Sequence, residues 1–220
     1  MNAILFKAVD PDSGTYLALT RISREIFEAV VLAVVVFMLL QTTVRNFKVE
    51  GSSMDPTLEG GQYLLVNRLV YLRIDMERLS SIVPFWQAKE DSPRYAVHPP
   101  KRGEIVVFQF PQDPSKDFVK RVVGLPGEEI EVRGGTVFVN GGVLEEPYLA
   151  ADGSGGRNGR LLQLEEGEYY VLGDNRAHSN DSRNWGAVPE ANLRGKVWIV
   201  YWPAPEIQIL NILDWIPGFG

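Results

Sequence analysis

Residues 104–141 read EIVVFQFPQDPSKDFVKRVVGLPGEEIEVRGGTVFVNG. EIVVFQF (104–110), FVKRVVG (118–124) and EIEVRGGTVFVNG (129–141) are short runs of β-branched and aromatic residues punctuated by Pro, Gly and Asp, the signature of strands. Gly134 and Gly135 fall where a hairpin turn needs positive φ. Working outward, YLLV (63–66), EYYVLG (168–173) and VWIVYW (197–202) have the same character. The 21 glycines and 14 prolines fall almost wholly after the first third, as turns between short strands require. The expectation is an all-β soluble domain of antiparallel strands. Residues 72–103, mixing charge, Pro and aromatics, and 142–166, containing AADGSGGRNGR at 150–160, read as insertions or loops.

Ahead of the strands, residues 26–44 read IFEAVVLAVVVFMLLQTTV, with Glu28 as the only charge and that near one end. This length and polarity predict one transmembrane helix. No small-residue cleavage site follows it and no polar stripe runs along it, against a cleaved signal sequence and a buried soluble helix respectively. Arg21 and Arg24 before it nearly balance Arg45 and Lys48 after it, so charge orients the segment poorly. The expected organisation is a tail (1–25), an anchor (26–44) and a β-rich domain (45–220).

The net charge of −6 argues against a nucleic-acid partner, which would call for a basic face. Cysteine is absent and the two histidines, His98 and His178, are far apart, so neither a disulfide framework nor a metal site is expected.

Three stretches can carry chemistry. GSSMDPTLEGG (51–61) is a tight loop able to present a hydroxyl, although Ser/Pro turns are common in any β protein. Lys120 lies in a strand whose alternation puts it with Phe118 on one face, opposite Val119 and Arg121. A lysine on a buried face loses ammonium hydration, its pKa falls, and it becomes a neutral base for a serine nucleophile lacking histidine. Its bland alternative is an edge-strand surface lysine. GDNRAHSNDSRNWG (173–186) is dense in hydrogen-bonding side chains: Asp181 and Arg183 can pair, and a hydroxyl such as Ser179 can orient the lysine. Its alternative is a solvated loop.

Taken together, SSMDPTL with Ser53 before Met54, KRVVGLPGE from Lys120 to Glu128, and GDNR followed by SNDSR from Gly173 to Arg183 resemble the bacterial type I signal peptidases, membrane-bound serine proteases with a Ser-Lys dyad. The resemblance runs from about Ile26 to Trp202. It implies a mainly β protein in which one N-terminal transmembrane helix precedes an all-β catalytic domain of coiled antiparallel sheets. Ser53 would be the nucleophile and Lys120 the general base, with Ser179 orienting Lys120 and Asp181 and Arg183 forming a structural ion pair; Asp174 and Arg176 belong to the same box. The oxyanion donor implied is the Ser53 N–H, and Gly51 stands where some members carry a second, hydroxyl donor. Val49, Met54 and Val119 are the expected walls of a groove for small side chains at positions −1 and −3. The resemblance further implies exported preproteins as substrates, membrane lipid as a partner, a monomer without cofactor, and a catalytic domain on the extracytoplasmic side of the cell membrane, with 1–25 as a short cytoplasmic tail.

Competing readings are a Ser53/His178/Asp181 triad, a self-cleaving repressor with a similar dyad, which would need a DNA-binding N-terminus, and a catalytically inactive membrane-tethered β-scaffold that binds preproteins. Ile82, Val83, Phe85 and Trp86, together with Trp215, Ile216 and Phe219, suit either a bilayer interface or packing on the β core.

Overall fold

The computed structural model describes residues 11–73, 95, 97–149 and 155–210. The two apolar clusters at 82–86 and 215–219 lie outside them. The chain divides into two compact units, Met1–Thr42 and Thr43–Gly220.

In the first unit, helix α1 spans Pro11–Thr43. Its side chains over 21–38 are all exposed, among them Phe27, Leu32 and Phe37. Arg21 pairs with Glu25 at 3.2 Å and Arg24 with Glu28 at 2.6 Å, one helical turn apart. These charges sit in the same stretch as the apolar residues, and among the described residues no helix is long and apolar enough to cross a membrane.

The second unit is mainly β. Its strands are β1 (Val44–Lys48), β2 (Tyr63–Asn67), β3 (Ile105–Phe110), β4 (Asp113–Gly124), β5 (Glu129–Arg133), β6 (Thr136–Val139), β7 (Gly142–Val143), β8 (Gly159–Gln163), β9 (Glu168–Leu172), β10 (Val188–Pro189), β11 (Leu193–Trp202) and β12 (Gln208–Ile209), with a single helical turn α2 (Ser182–Trp185). One sheet runs β1-β2-β11-β3-β4-β9-β10 with β12 beside β11, and a smaller one runs β7-β6-β5-β8. The described strand pairings are antiparallel. Every strand-like run in the sequence forms a strand, and Gly134 and Gly135 turn the β5–β6 hairpin with φ of 55° and 84°. The short strands β7 and β8 fall inside 142–166, the stretch read as insertion or loop. Their side chains are largely exposed, so burial leaves no alternating pattern there.

β4 is the strand that organises the interior, because both of its faces are covered at its C-terminal end. Val122 packs with Phe108, Tyr169 and Val171, while Val123 faces Ile130, Tyr170 and Leu172 between the sheets. A third apolar cluster, of Met54, Leu58, Leu64, Val107 and Val197 among others, underlies the β1–β2 loop. At roughly 1.5–3 kcal/mol per fully buried side chain, these clusters fix β4 and the loop as one body.

Candidate active site

The β1–β2 loop is closed at its neck by Val49 N–H donating to Gln62 O (2.8 Å) and Gly61 N–H donating to Val49 O (2.9 Å). Met54 and Leu58, both fully buried, plug it into the core, and Leu58 N–H donates to Met54 O across one turn (3.0 Å). Ser53 precedes the Met54 plug, so its half-buried hydroxyl is held by its neighbour's packing. The Ser53 backbone N–H donates to no acceptor among the described residues.

Lys120 pairs across the ladder with Val106 and is 4% exposed. Its Nζ lies 5.6 Å from the Phe118 ring centre, in keeping with the shared face that alternation predicts. The amine reaches Ser53 Oγ at 2.6 Å and Val119 O at 2.8 Å. Burial pulls its pKa from the ordinary 10.5 down to about 8, against the Asp181 and Asp174 carboxylates, which favour the charged form.

The loop between β9 and α2 packs against this pair. Asn175 N–H donates to Ser53 O (3.1 Å). Asp181 accepts from Gly173 N–H (3.1 Å) and from Arg183 Nε and Nη2, each at 2.8 Å; both side chains of the pair are almost fully buried. Ser179 Oγ is buried and has no hydrogen-bond partner among the described residues. Two further buried connections were not legible in the sequence. Asp174 accepts from Arg121 Nε (2.9 Å), Arg121 Nη2 (2.6 Å) and Thr57 Oγ1 (2.6 Å). Arg176 donates to both carboxylate oxygens of Glu146. Arg121 stands next to Lys120 and Thr57 next to Pro56, but their partners are distant in sequence and nothing local names them.

The sequence matches the family model described as "Signal peptidase, peptidase S26" over residues 22–202. It belongs to the signal peptidase family. As a member of peptidase family S26 it is a serine peptidase, a hydrolase of peptide bonds. A relative named "Probable signal peptidase I-2", from Synechocystis, is 32% identical, covering 93% of this chain and 82% of its own. The signal peptidase I of Bacillus caldolyticus is 37% identical over 72% of this chain and 79% of its own. A crystal structure of an Enterococcus faecalis signal peptidase I, 33% identical, aligns with 46% of this chain and 97% of its own at a TM-score of 0.40.

In this signal peptidase fold a groove of about 700 Å³ opens at Ser53 and Lys120, with Val49, Gly51, Leu64, Val107, Phe118 and Val119 in its walls. Of the three wall residues expected from the sequence, Val49 and Val119 line it. Met54 does not, because its side chain is the fully buried core plug beneath Ser53. Gly51 has φ of 82° and brings no side-chain donor. His178 lines the groove but is exposed, and its ring nitrogen lies by Asn175 Oδ1 at 3.2 Å. Both Asp181 oxygens are taken by Gly173 and Arg183, so no Ser53/His178/Asp181 chain of hydrogen bonds forms. His98, expected in a loop, lies 3.7 Å from buried Glu104.

Gly173 shows how tightly the loop is set, since a Cβ there would lie 2.3 Å from both Ser53 O and Ser179 Oγ. Gly173→Ala therefore has to push the nucleophile loop and the Ser179 loop apart. The expected result is a folded protein whose kcat falls on the order of 10²-fold, the usual cost of a 1 Å misplacement, measured by peptide cleavage beside a melting curve.

Proposed function

We propose that the chain is a membrane-bound signal peptidase that cuts N-terminal signal peptides from exported preproteins after small residues at positions −1 and −3. The observation that carries the mechanism is the 2.6 Å contact between Lys120 Nζ and Ser53 Oγ inside a buried setting. Neutral Lys120 takes the hydroxyl proton as Ser53 Oγ attacks the scissile carbonyl. The resulting ammonium returns a proton to the leaving amine, freeing the mature chain, and water then hydrolyses the acyl-enzyme with Lys120 again as base. The Ser53 N–H, which has no acceptor among the described residues, is the oxyanion donor in this reading, and such a donor is worth about 3 kcal/mol.

Ser179 is assigned the role of orienting Lys120. The ammonium has three donors and, among the described residues, finds two acceptors, Ser53 Oγ and Val119 O; in this reading the buried Ser179 Oγ, which makes no hydrogen bond to the described residues, is the hydroxyl that would accept from the third as the site closes on substrate. Asp181 and Arg183 brace that loop.

Anchoring by residues 26–44 is supported by the apolar, outward-facing side chains of α1 at Val30, Leu32, Val35 and Phe37, which water would not favour on every side of a helix. In this reading, resting on the family resemblance, residues 1–25 lie in the cytoplasm and 45–220 on the extracytoplasmic side, where preproteins emerge. No cofactor, metal or nucleic acid enters this mechanism, and one copy of the chain holds every group used.

The test is cleavage of a preprotein carrying Ala at −1 and −3 by the detergent-solubilised protein, read by N-terminal sequencing of the product. One cut after the −1 alanine, lost when that alanine is changed to phenylalanine, is the expected result. Uncut substrate, or cutting that ignores the −1 residue, contradicts the assignment.

A further inference from the structure

Away from the catalytic groove, a second cleft of about 590 Å³ lies against β8 and α2. Arg157, Arg160 and Arg183 line it together with Asn158, Asn184 and Trp185, and no carboxylate is among its lining residues. This is unexpected on a chain with 28 acidic residues against 22 basic ones. The three arginines are not equivalent. Arg183 is neutralised by Asp181. Arg157 donates to Asn184 Oδ1 at 3.0 Å, and neither it nor Arg160 has an ion-pair partner among the described residues.

The wall that carries these arginines is firmly seated. Gly156, with φ of 129°, packs so closely that a Cβ would meet Arg176 O at 2.5 Å and Arg183 Nη1 at 2.6 Å. On the opposite side Trp185 is fixed by Phe108 and Phe110, at ring-centre distances of 5.9 and 5.6 Å. Two guanidinium groups without an ion-pair partner among the described residues, beside the Asn158 and Asn184 amides in a cleft with no carboxylate among its described lining residues, match the charge and hydrogen-bonding needs of a phosphate oxyanion.

We propose that this cleft binds a phosphate group, held by Arg157 and Arg160 with Asn158 and Asn184 as further polar contacts. The chemistry is shared by free phosphate and by the headgroup of an anionic phospholipid.

Phenylglyoxal, which modifies accessible guanidinium groups, separates the two sources. The full chain is treated in detergent, with or without inorganic phosphate at matched ionic strength, and in phosphatidylcholine vesicles with or without phosphatidylglycerol; modification is followed at each arginine by peptide mass spectrometry. Slowing at Arg157 and Arg160 is expected, roughly tenfold at a ligand concentration ten times Kd, while exposed Arg133 is unaffected. Protection by phosphate identifies a free anion; protection only by phosphatidylglycerol identifies the lipid headgroup. Either result is to be accompanied by loss of phosphate- or lipid-dependent thermal stabilisation in the Arg157→Gln/Arg160→Gln variant, with peptide cleavage unchanged when no phosphate is present. Equal modification rates under all four conditions, or equal slowing at Arg133, overturn the proposal.

Discussion

Lys120→Met is expected to cut substrate about 10⁴-fold more slowly than the parent protein and yet to melt at a higher temperature. The two effects have one cause. Burial lowers the folded-state pKa of the amine to about 8, below the roughly 10.5 of an unfolded lysine. Between those values the unfolded chain binds more protons, so stability rises with pH. The cost of holding the ammonium form is complete below pH 8 and gone above about pH 10.5. At pH 7 it is about 3 kcal/mol, of which the lost hydrogen bond to Ser53 offsets about 1. Methionine fills much the same space without a charge, so a rise of several degrees in Tm is the expected reading. A variant that keeps more than about a hundredth of parental activity would remove Lys120 from the role of base, and a lower Tm would contradict the account of its burial.

Ser53→Ala is expected to abolish turnover to a similar or greater degree while leaving substrate binding almost unchanged. The hydroxyl is half-buried at the end of the groove, and Met54 and Leu58, which hold the loop in place, are untouched. Measured binding of an uncleavable peptide should match that of the parent protein, with the catalytic rate at background. Residual cleavage above background would mean that another nucleophile acts. Unaltered cleavage would favour the scaffold reading, with the activity belonging to a contaminant.

The strands were legible because their apolar runs are short, β-branched and bounded by Gly and Pro, and the β5–β6 hairpin carried its turn in two adjacent glycines. β1 was hidden by the apolar segment just before it: VRNFK at an edge position buries little. The lysine on the Phe118 face was readable from a period of two, and the loop pairing of Asp181 with Arg183 from two residues of separation. What strand periodicity could not supply was depth. It gives no sign that Met54 belongs to the core rather than the groove wall, since the loop's plug is defined by the β2, β3 and β11 residues that receive it. For the same reason the clamp of Asp174 by Arg121 and Thr57, spanning more than fifty residues in each case, becomes visible only in three dimensions.

The central claim is that a neutral, buried lysine activates Ser53, and the pH dependence of kcat/KM for a preprotein-derived peptide between pH 6 and 10 tests it most directly. Since Lys120 must be deprotonated to act, the rate should rise about tenfold per pH unit on the acid side and level off above an apparent pKa of about 8. A His178→Gln variant should follow the same curve. A flat profile would contradict the lysine mechanism, and an acid limb that disappears in His178→Gln would put a histidine base in its place.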